Sequence, residues 1–375
     1  MKIYMFPGQG SQFKTMGGNL FDSFKELTDQ ADSILGYSIK QLCLEDPRDE
    51  LGKTQFTQPA LYVVNALTYF KKIEETGLVP DFVAGHSLGE FNALLAAGCF
   101  DFETGLRLVQ KRGELMGQVS GGAMAAVLNA TKDQIEEILK TNGLTKIYLA
   151  NYNTPSQIVL SGVADEIAKA EKFFQQGMTR YYPLATSGAF HSAFMQDAME
   201  KFREHLNGFK FSSQEIPVIA NVTARPYRDD AILETLSSQI ASTVRWSESI
   251  QYLLALAASR RDTVEFEELG PGDVLTKLFL TIKTQTPEEL LQQYIKEEFS
   301  GQKPEDAIPA KLAGAAEKVS AWNKTHSIGV KVKSSIMNYD NLETRTEALV
   351  LFGHRAAVYM KGYNGYFDLD ELTPI

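Results

Sequence analysis

The first 122 residues alternate short apolar runs with segments in which apolar residues recur every three or four positions. The runs at 3–6 and 82–84 have the length of buried strands, whereas 61–73 and 102–116 have the spacing of amphipathic helices. Strands and helices in alternation are typical of a parallel sheet with helices packed against it. We therefore predict a large α/β domain that starts near the first residue.

The pattern changes at residue 123, where a shorter unit begins. Its predicted elements are, in order, a strand (124–128), a helix (133–139), a hairpin of two strands (147–150 and 157–161), a helix (164–175) and a strand (179–184). This β-α-β-β-α-β order is that of a ferredoxin-like fold. We predict an inserted ferredoxin-like subdomain at 123–187, with a ligand pocket in the cleft between it and the large domain.

Beyond residue 187 the chain returns to sheet and helix patterns until about residue 283, so that the large domain comprises 1–122 and 188–283. Residues 284–320 are rich in charge and alanine, and three prolines interrupt their weak helical spacing. We interpret this stretch as a linker that contains helix.

The last part of the chain, 321–375, has the alternation of β-strands. Strand candidates are 328–333, 348–352 and 356–360. Residues typical of turns separate or close these strands, namely Gly353, Gly362, Asn364 and Gly365. We predict a small β-rich C-terminal module with a barrel-like shape.

The composition of the 375 residues limits the kinds of partner and the location that can be expected. The formal net charge of −10 argues against a protein whose surface as a whole binds nucleic acid or an anionic membrane. No apolar stretch approaches the roughly 18 residues that span a bilayer. Pro7 and Gly8 break the first apolar run, so no signal peptide is expected. Cys43 and Cys99 lie in apolar surroundings without paired spacing, which fits free thiols in a reducing cytoplasm.

A serine at a glycine-flanked turn is the first candidate for chemistry. The pentapeptide from Gly85 to Gly89 places Ser87 between the apolar run 82–84 and a helical pattern. Such a turn exposes the serine hydroxyl for attack, and the amide of the next residue, Leu88, points at the incoming carbonyl. A glycine-rich turn can also contain an inert serine, so the motif alone leaves both interpretations open.

Histidine is the usual base for such a serine, since a hydroxyl is a weak nucleophile until its proton is taken. Of the five histidines, His86 lies inside the turn, with its side chain expected to project away from the serine, and His205 lies in a charged helical run. His326 and His354 lie far along the chain. His191, in a turn of small residues, is the remaining candidate, although a lone histidine is also common at surfaces and helix caps.

A loop near the start of the chain offers a second donor to a developing oxyanion. Residues 7–12 follow the strand at 3–6, and their glycines allow backbone N–H groups to approach a ligand closely. The amide of Gln12 is our candidate donor. A phosphate loop is the rival interpretation, but the Gly-Lys-Ser/Thr ending that binds phosphate is missing. A glycine turn at 270–272 is a further candidate to close over the site.

Seven stretches carry a family resemblance. They are 6–12 (Phe-Pro-Gly-Gln-Gly-Ser-Gln), 57–60 (Thr-Gln-Pro-Ala), 85–90 (Gly-His-Ser-Leu-Gly-Glu), 111–113 (Lys-Arg-Gly), 188–192 (Gly-Ala-Phe-His-Ser), 220–223 (Ala-Asn-Val-Thr) and 270–272 (Gly-Pro-Gly). In order and spacing they resemble the malonyl-CoA:acyl carrier protein transacylase family over about residues 1–285. The expected fold is α/β, with a large α/β-hydrolase-like domain, the ferredoxin-like subdomain and the β-rich module.

The resemblance implies that Ser87 is the nucleophile and His191 its base, with the backbone amides of Gln12 and Leu88 as the oxyanion hole. Family members orient the histidine with a backbone carbonyl rather than a buried aspartate. In this chain that carbonyl would belong to the stretch 243–246. The implied reaction moves malonyl from malonyl-CoA, through an ester on the serine, to the phosphopantetheine thiol of an acyl carrier protein.

Arg112 is implied to decide which acyl group is used. Its guanidinium would hold the free carboxylate of malonyl through two parallel charge-assisted hydrogen bonds, which a lysine does not reproduce. Without the resemblance, an arginine with charged neighbours would be interpreted as a solvated helix residue. Gln58 and Asn221 match positions that line or support the site. Phe190 is implied to narrow the pocket in favour of malonyl, with a core phenylalanine as the alternative.

Three functions compete. Malonyl transfer is the first, and the β-rich tail is similar to those of some stand-alone acyltransferases that serve polyketide synthases. The second is an acyl hydrolase that clears misloaded carrier proteins, but hydrolysis of neutral acyl chains gains nothing from a buried cation. The third is a non-catalytic docking subunit, against which the complete set of site residues argues. A general esterase explains the serine turn but not the loop at 7–12.

The expected partners are malonyl-CoA and an acyl carrier protein, without nucleic acid or membrane. No cofactor is expected, because the phosphopantetheine is carried by the partner, and the sequence has no metal-ligand cluster. The expected location is the cytoplasm, because the two cysteines fit free thiols in a reducing compartment.

Overall fold

The computed structural model describes residues 1–186, 188–299, 315–335, 339, 342–351, 355–363 and 366–375. Their strands are β1 (Lys2–Phe6), β2 (Phe82–Gly85), β3 (Gly122–Leu128), β4 (Ile147–Thr154), β5 (Gln157–Val163), β6 (Arg180–Pro183), β7 (Val218–Ile219), β8 (Glu265–Glu268), β9 (Lys331–Ser334), β10 (Leu342–Glu343), β11 (Leu349–Leu351), β12 (Arg355–Tyr359), β13 (Tyr366–Asp368) and β14 (Leu372–Pro374). Their α-helices are α1 (Leu20–Ser23), α2 (Lys25–Leu35), α3 (Ile39–Leu44), α4 (Thr54–Thr76), α5 (Gly89–Ala96), α6 (Phe102–Gly117), α7 (Lys132–Thr141), α8 (Ala164–Phe174), α9 (Gln196–Leu206), α10 (Ile232–Ser238), α11 (Trp246–Arg260), α12 (Val274–Gln285), α13 (Glu288–Tyr294) and α14 (Ala315–Thr325).

A four-stranded parallel sheet forms the centre of the large domain, in the order β7-β2-β1-β8. Strand β1 is paired on both sides and its residues 3–6 are buried, which fits an apolar run without polar alternation. Phe6 at the end of β1 is in register with Gly85 at the end of β2. The loops after both strands therefore leave the same edge of the sheet, which brings the loop at 7–12 beside the turn at Ser87.

Helix α4 begins earlier than the sequence predicts. We expected helix over 61–73, but α4 starts at Thr54 and runs through Pro59. The hydroxyl of Thr57 donates to the carbonyls of Leu51 and Lys53 at 2.6 and 3.0 Å, and the side chains of 57–60 are buried. Packing and the hydrogen bonds of Thr57 thus outweigh the proline, and Gln58 is held on a helix rather than a loop.

The predicted ferredoxin-like subdomain is confirmed. Its sheet has the order β4-β5-β3-β6 with antiparallel pairs, and α7 and α8 pack on one face. Because strand side chains alternate between faces, Ala125 and Val127 of β3 join the core under these helices. Met124 and Ala126 face the other way, toward the large domain.

The β-rich module contains two three-stranded antiparallel sheets, β10-β9-β14 and β11-β12-β13. Helix α14 continues to Thr325, past the predicted limit at residue 320. The reason is that Val319 and Trp322, three positions apart, lie on the same side of a helix and pack against the core of the module.

The module packs on the large domain at the end of α4. The ring of Tyr366 contacts the ring of Phe70 edge-on, with centroids 6.5 Å apart, and Tyr366 and Ala357 are buried within the core of the large domain. Arg345 lies 3.6 Å from Glu26 on α2. The module therefore extends the core of the large domain.

Several predicted features lie outside the described residues. They are residue 187 at the end of the predicted subdomain, residue 352 at the end of a predicted strand, Gly353, His354, Asn364, Gly365 and linker residues 300–314. The described part of the linker contains α13 and a π-helical turn, Ile295–Phe299. The limits that we give for the domains remain predictions. In the portions of the chain that are described, no helix combines the length and apolar character needed to cross a membrane.

The contact between Tyr366 and Phe70 predicts that the module stabilises the large domain. In a Trp322→Phe background, the fluorescence of the buried Trp246 reports unfolding of the large domain. Tyr366→Ala should lower the free energy of that unfolding by about 3 kcal/mol, because it leaves a cavity at the contact. Val332→Ala, which removes two methyl groups from the core of the module alone, serves as the matched control. A Trp246 transition that is unmoved by Tyr366→Ala would show that the module folds independently.

Candidate active site

Ser87 lies in a tight turn between β2 and α5, with a backbone φ of 50°. Both glycines of the turn are required by packing. A Cβ at Gly85 would lie 1.9 Å from the carbonyl carbon of Gly89, and a Cβ at Gly89 would lie 2.0 Å from the carbonyl oxygen of Phe6. The turn is therefore pressed against the end of β1, and a non-glycine residue is held in a left-handed conformation of the kind found at functional sites.

His191 supplies the imidazole that faces Ser87. Its Nε2 lies 2.8 Å from the Oγ of Ser87, across 104 residues of sequence. His191 itself has a φ of 55°, and its N–H donates to the carbonyl of Ile240 at 3.2 Å. The hydroxyl of Ser192 caps the short helical turn that leads into α9. The two candidates from the sequence are thus brought together at hydrogen-bond distance.

The carbonyl that orients His191 does not belong to the implied stretch 243–246. Nδ1 of the histidine lies 3.0 Å from the carbonyl oxygen of Gln239 and 3.2 Å from that of Ser242. In the implied stretch, the hydroxyl of Thr243 donates to the carbonyl of Leu149, and the carbonyl of Val244 accepts from the ferredoxin-like subdomain. These atoms join the two domains. With carbonyls at Nδ1, the proton sits there and the Nε2 lone pair faces Ser87.

The environment of His191 keeps its imidazole neutral. Burial lowers the pKa of His191 to about 3, and the nearby positive charge of Arg112 adds to the effect. Hydrogen bonds to the two carbonyls oppose the shift. A neutral imidazole is the form that accepts a proton from a serine hydroxyl.

Arg112 is buried, with 1% of its side chain exposed, although its neighbours Lys111 and Glu114 form an ion pair at the surface. One terminal nitrogen donates to the Oε1 of Gln58 at 2.8 Å. The other donates to the Oε1 of Gln239 at 2.7 Å and to the Oγ of Ser87 at 3.1 Å. Burial lowers the pKa of Arg112 to about 10. The site thus holds a buried guanidinium that stays charged at neutral pH.

Asn221 supports the turn that carries Ser87. Its Oδ1 accepts from the backbone N–H of Ser87 at 2.7 Å, and its Nδ2 donates to the carbonyl of Gly85 at 2.7 Å. Gln58, by contrast, lines the cavity, and its Nε2 contacts the sulfur of Met116 at 3.4 Å. These positions fit the roles that the sequence suggested for both residues.

Glu90 is a site residue that the sequence analysis missed. It is fully buried in the first turn of α5, and its Oε2 accepts from the Nε2 of Gln239 at 2.8 Å. Burial raises the pKa of Glu90 to about 7, although its hydrogen bonds and Arg112 oppose the shift. A signal was available in the sequence, because Glu90 is the one charged residue in an apolar helix. Gln239 carried no comparable signal.

A cavity of about 310 Å³ lies between the large domain and the ferredoxin-like subdomain and contains Ser87 and His191. Its walls come from β3 and β5 of the subdomain, the loop after β1, and α12. Phe190 lies in the wall and is 5% exposed. The predicted position of the pocket, in the cleft between the domains, is confirmed. His86 also reaches the cavity, where its Nε2 bonds to the Oδ1 of Asn153 at 2.8 Å.

Gln12 does not line the cavity, whereas Gln9 from the same loop does. The side chain of Gln12 folds back and accepts from the N–H of Gly10 at 2.7 Å. A Cβ at Gly8 would lie 2.3 Å from the carbonyl of His86, so the residues just before Gln9 are pressed against the serine turn. Within the described chain, the backbone N–H groups of Gln9 and Leu88 donate to no protein acceptor. The site therefore favours Gln9 over Gln12 as the second oxyanion donor.

Comparison with known proteins gives consistent matches. A family model described as an acyl transferase domain matches residues 3–266. The chain is 54% identical over 288 residues to the polyketide biosynthesis malonyl CoA-acyl carrier protein transacylase BaeC of Bacillus velezensis, over 76% of this chain and 98% of the relative. It is 56% identical over 285 residues to the protein of the same description, PksC, of Bacillus subtilis, over 76% and 97%.

A solved structure is similar over the same region. The crystal structure of a malonyl CoA-acyl carrier protein transacylase from Burkholderia pseudomallei aligns with a TM-score of 0.76 and 63% sequence identity. The alignment covers 76% of this chain and 99% of that chain. The residues matched by the family model, 3–266, include Ser87, Arg112 and His191 and end before the predicted linker.

The low pKa of His191 predicts that its imidazole stays neutral from about pH 8 to pH 5 in the folded protein. In the unfolded chain the same side chain should titrate near its ordinary value of about 6.5. Heteronuclear NMR of ring-labelled histidine checks both states, and the signal that disappears in His191→Gln provides the assignment. A folded-state signal for His191 that shifts around pH 6.5 would contradict the prediction.

Proposed function

The chain belongs to the acyl transferase family, among the malonyl-CoA:acyl carrier protein transacylases, and on that premise we propose that it moves malonyl from malonyl-CoA to the phosphopantetheine thiol of an acyl carrier protein in polyketide biosynthesis. The observation that carries this proposal is the buried guanidinium of Arg112, 3.1 Å from the Oγ of Ser87. A cation beside the nucleophile suits an acyl group that has a second carboxylate.

In the proposed first step, the Oγ of Ser87 attacks the thioester carbon of malonyl-CoA while the Nε2 of His191 takes its proton. The carbonyl oxygen becomes an oxyanion, which the backbone amides of Gln9 and Leu88 stabilise. Amide donors at such a position are worth roughly 3–4 kcal/mol each. The tetrahedral intermediate then collapses to the serine ester, and the sulfur of coenzyme A leaves with the proton from the imidazolium.

Arg112 selects the malonyl group in this proposal. Burying a carboxylate is costly unless it is paired, and a guanidinium pairs with it through two parallel hydrogen bonds. In the free protein one terminal nitrogen of Arg112 bonds to the hydroxyl of Ser87, so an arriving carboxylate takes over a donor already aimed at the reacting centre. Each charge-assisted bond contributes roughly 1.5–3 kcal/mol.

The second half of the reaction repeats these steps with a different nucleophile. The phosphopantetheine thiol of the carrier protein attacks the ester carbon, His191 takes the thiol proton, and the same imidazolium returns a proton to the Oγ of Ser87. The hydroxyl of Ser87 and the neutral imidazole of His191 are thus regenerated, and malonyl has moved from one thiol to another. The proposed steps use only groups of the chain and its two substrates. Because water could also attack the ester, the proposed transfer requires that water be kept from the ester or that the thiol be positioned far better than water.

We propose a cytoplasmic location for this activity. Cys43 and Cys99 are both free and buried, and free thiols persist in reducing compartments. Burial raises the pKa of Cys43 far above its ordinary range, so its thiol stays protonated and unreactive.

Covalent loading tests the nucleophile. Incubation with malonyl-CoA should give a stable ester on Ser87, seen as the mass increase of one malonyl group on the intact protein and located by peptide mapping. Ser87→Ala should show no adduct, while Ser192→Ala, a nearby serine that caps a helical turn, should still load. An adduct that survives in Ser87→Ala would place the ester elsewhere.

The role of Arg112 predicts a change in acyl preference. Arg112→Ala should load malonyl about a hundredfold more slowly or worse, because two charge-assisted bonds are lost, while acetyl loading is kept or gained. The ratio of the two loading rates, measured with both acyl-CoAs, is the readout. Lys111→Ala, which removes the neighbouring exposed charge, is the control and should leave the ratio unchanged. Equal losses for both acyl groups in Arg112→Ala would mean that Arg112 is only structural.

A further inference from the structure

The proposed reaction leaves one buried acid at the site without a role. Glu90 is the second residue of α5, a helix whose eight residues are all buried. Its carboxyl faces away from the cavity, behind the turn that presents Ser87. Burying a charged group is costly unless hydrogen bonds or an opposite charge compensate it. The contacts of Glu90 therefore indicate its role.

Three donors converge on Glu90. Its Oε2 accepts from the Nε2 of Gln239 at 2.8 Å and from the backbone N–H of Asn221 at 3.2 Å. Its Oε1 accepts from the hydroxyl of Tyr227. A carboxyl surrounded by donors is matched to its ionised form, which has acceptors only.

Gln239 connects Glu90 to both the cation and the base. Its carboxamide donates to Glu90 through Nε2 and accepts from Arg112 through Oε1 at 2.7 Å. Its main-chain carbonyl accepts from the Nδ1 of His191 at 3.0 Å. If the carboxamide turned over, its NH₂ would face the guanidinium and its oxygen would face the carboxylate, and both contacts would be repulsive. The same Nε2 also donates to the main-chain carbonyl of Ser87 at 2.8 Å. The carboxylate of Glu90 and this carbonyl, together with the guanidinium on the other side, therefore fix the direction of Gln239.

We propose that ionised Glu90 is a positioning residue for malonyl transfer, which holds Gln239 so that Arg112 and His191 are both directed at Ser87. The inference rests on the proposed function of the chain. Protonated Glu90 directs a donor hydrogen toward one of its three partners, which are themselves donors, and loses the charge that orders the carboxamide of Gln239. The guanidinium of Arg112 and the imidazole of His191, which both bond to Gln239, are then held less firmly.

This role makes the loading step sensitive to pH. The charged and titratable groups that face Glu90 are Arg112 from α6 and Tyr227 from the segment after β7. The pKa of Glu90 is raised to about 7, whereas those of His191, about 3, and Arg112, about 10, lie well outside the range from about pH 5.5 to 8.5. Malonyl loading should therefore slow as the pH falls below about 7, approaching tenfold per pH unit.

The test measures the rate constant of malonyl-enzyme formation by rapid quench and intact mass, over that pH range. At pH 8.5, Glu90→Gln should load about tenfold to a hundredfold more slowly than wild type, because the reacting groups are misplaced, and its rate should not depend on pH. Tyr227→Phe removes a hydrogen bond that lowers the pKa of Glu90. Its loading rate should reach the wild-type plateau, but at a higher pH.

Two results would overturn the role of Glu90: an acid-side fall that persists unchanged in Glu90→Gln, or a Tyr227→Phe profile that does not move. Glu114→Gln, at an exposed acid on α6, is the control and should keep the wild-type profile. If circular dichroism shows that Glu90→Gln does not fold, the shift of the pH profile in Tyr227→Phe alone tests the role of Glu90. A wild-type protein that forms no malonyl ester at any pH would end the proposed function, and this inference with it.

Discussion

The buried positive charge of Arg112 is the constraint on which the arrangement of this site depends. Its guanidinium has two carboxamides and one hydroxyl as partners, and the nearest acid, Glu90, is separated from it by Gln239. A guanidinium is costly to bury without an anion against it. The surrounding oxygens, the face of Phe91 at 5.6 Å and the indirect field of Glu90 together make this burial tolerable. In the proposed function, the carboxylate of the substrate supplies the anionic partner that Arg112 lacks in the free protein.

The same charge shapes the chemistry of the base. A cation near His191 disfavours a second positive charge, so the imidazole remains neutral and ready to take a proton. During reaction the transient imidazolium is disfavoured by that cation in the free protein, and less so once a malonyl carboxylate has neutralised it. In the proposed reaction, the substrate anion therefore contributes both to recognition by Arg112 and to the energetics of proton transfer to His191.

Much of this organisation could be predicted from the sequence, because local patterns determine it. Ser87 was predicted from its glycines, the parallel sheet from unbroken apolar runs, and the subdomain from alternation and element order. Gln9 was missed because the loop contains two glutamines that the sequence does not distinguish. The close packing of Gly8 against the serine turn brings Gln9, and not Gln12, to the cavity. The carbonyl of Gln239 was missed for a different reason: a backbone oxygen has no residue type to mark it.

Successive side chains of β3 point to opposite faces of the sheet and therefore have two different roles. Ala125 and Val127 hold the helices of the subdomain, whereas Met124 and Ala126 form part of the cavity wall. Substitutions at the second pair can therefore remodel the shape of the chamber while the first pair preserves folding. In the proposed function, single substitutions at Met124 or Ala126 would change the space open to the acyl group without altering Ser87, Arg112 or His191.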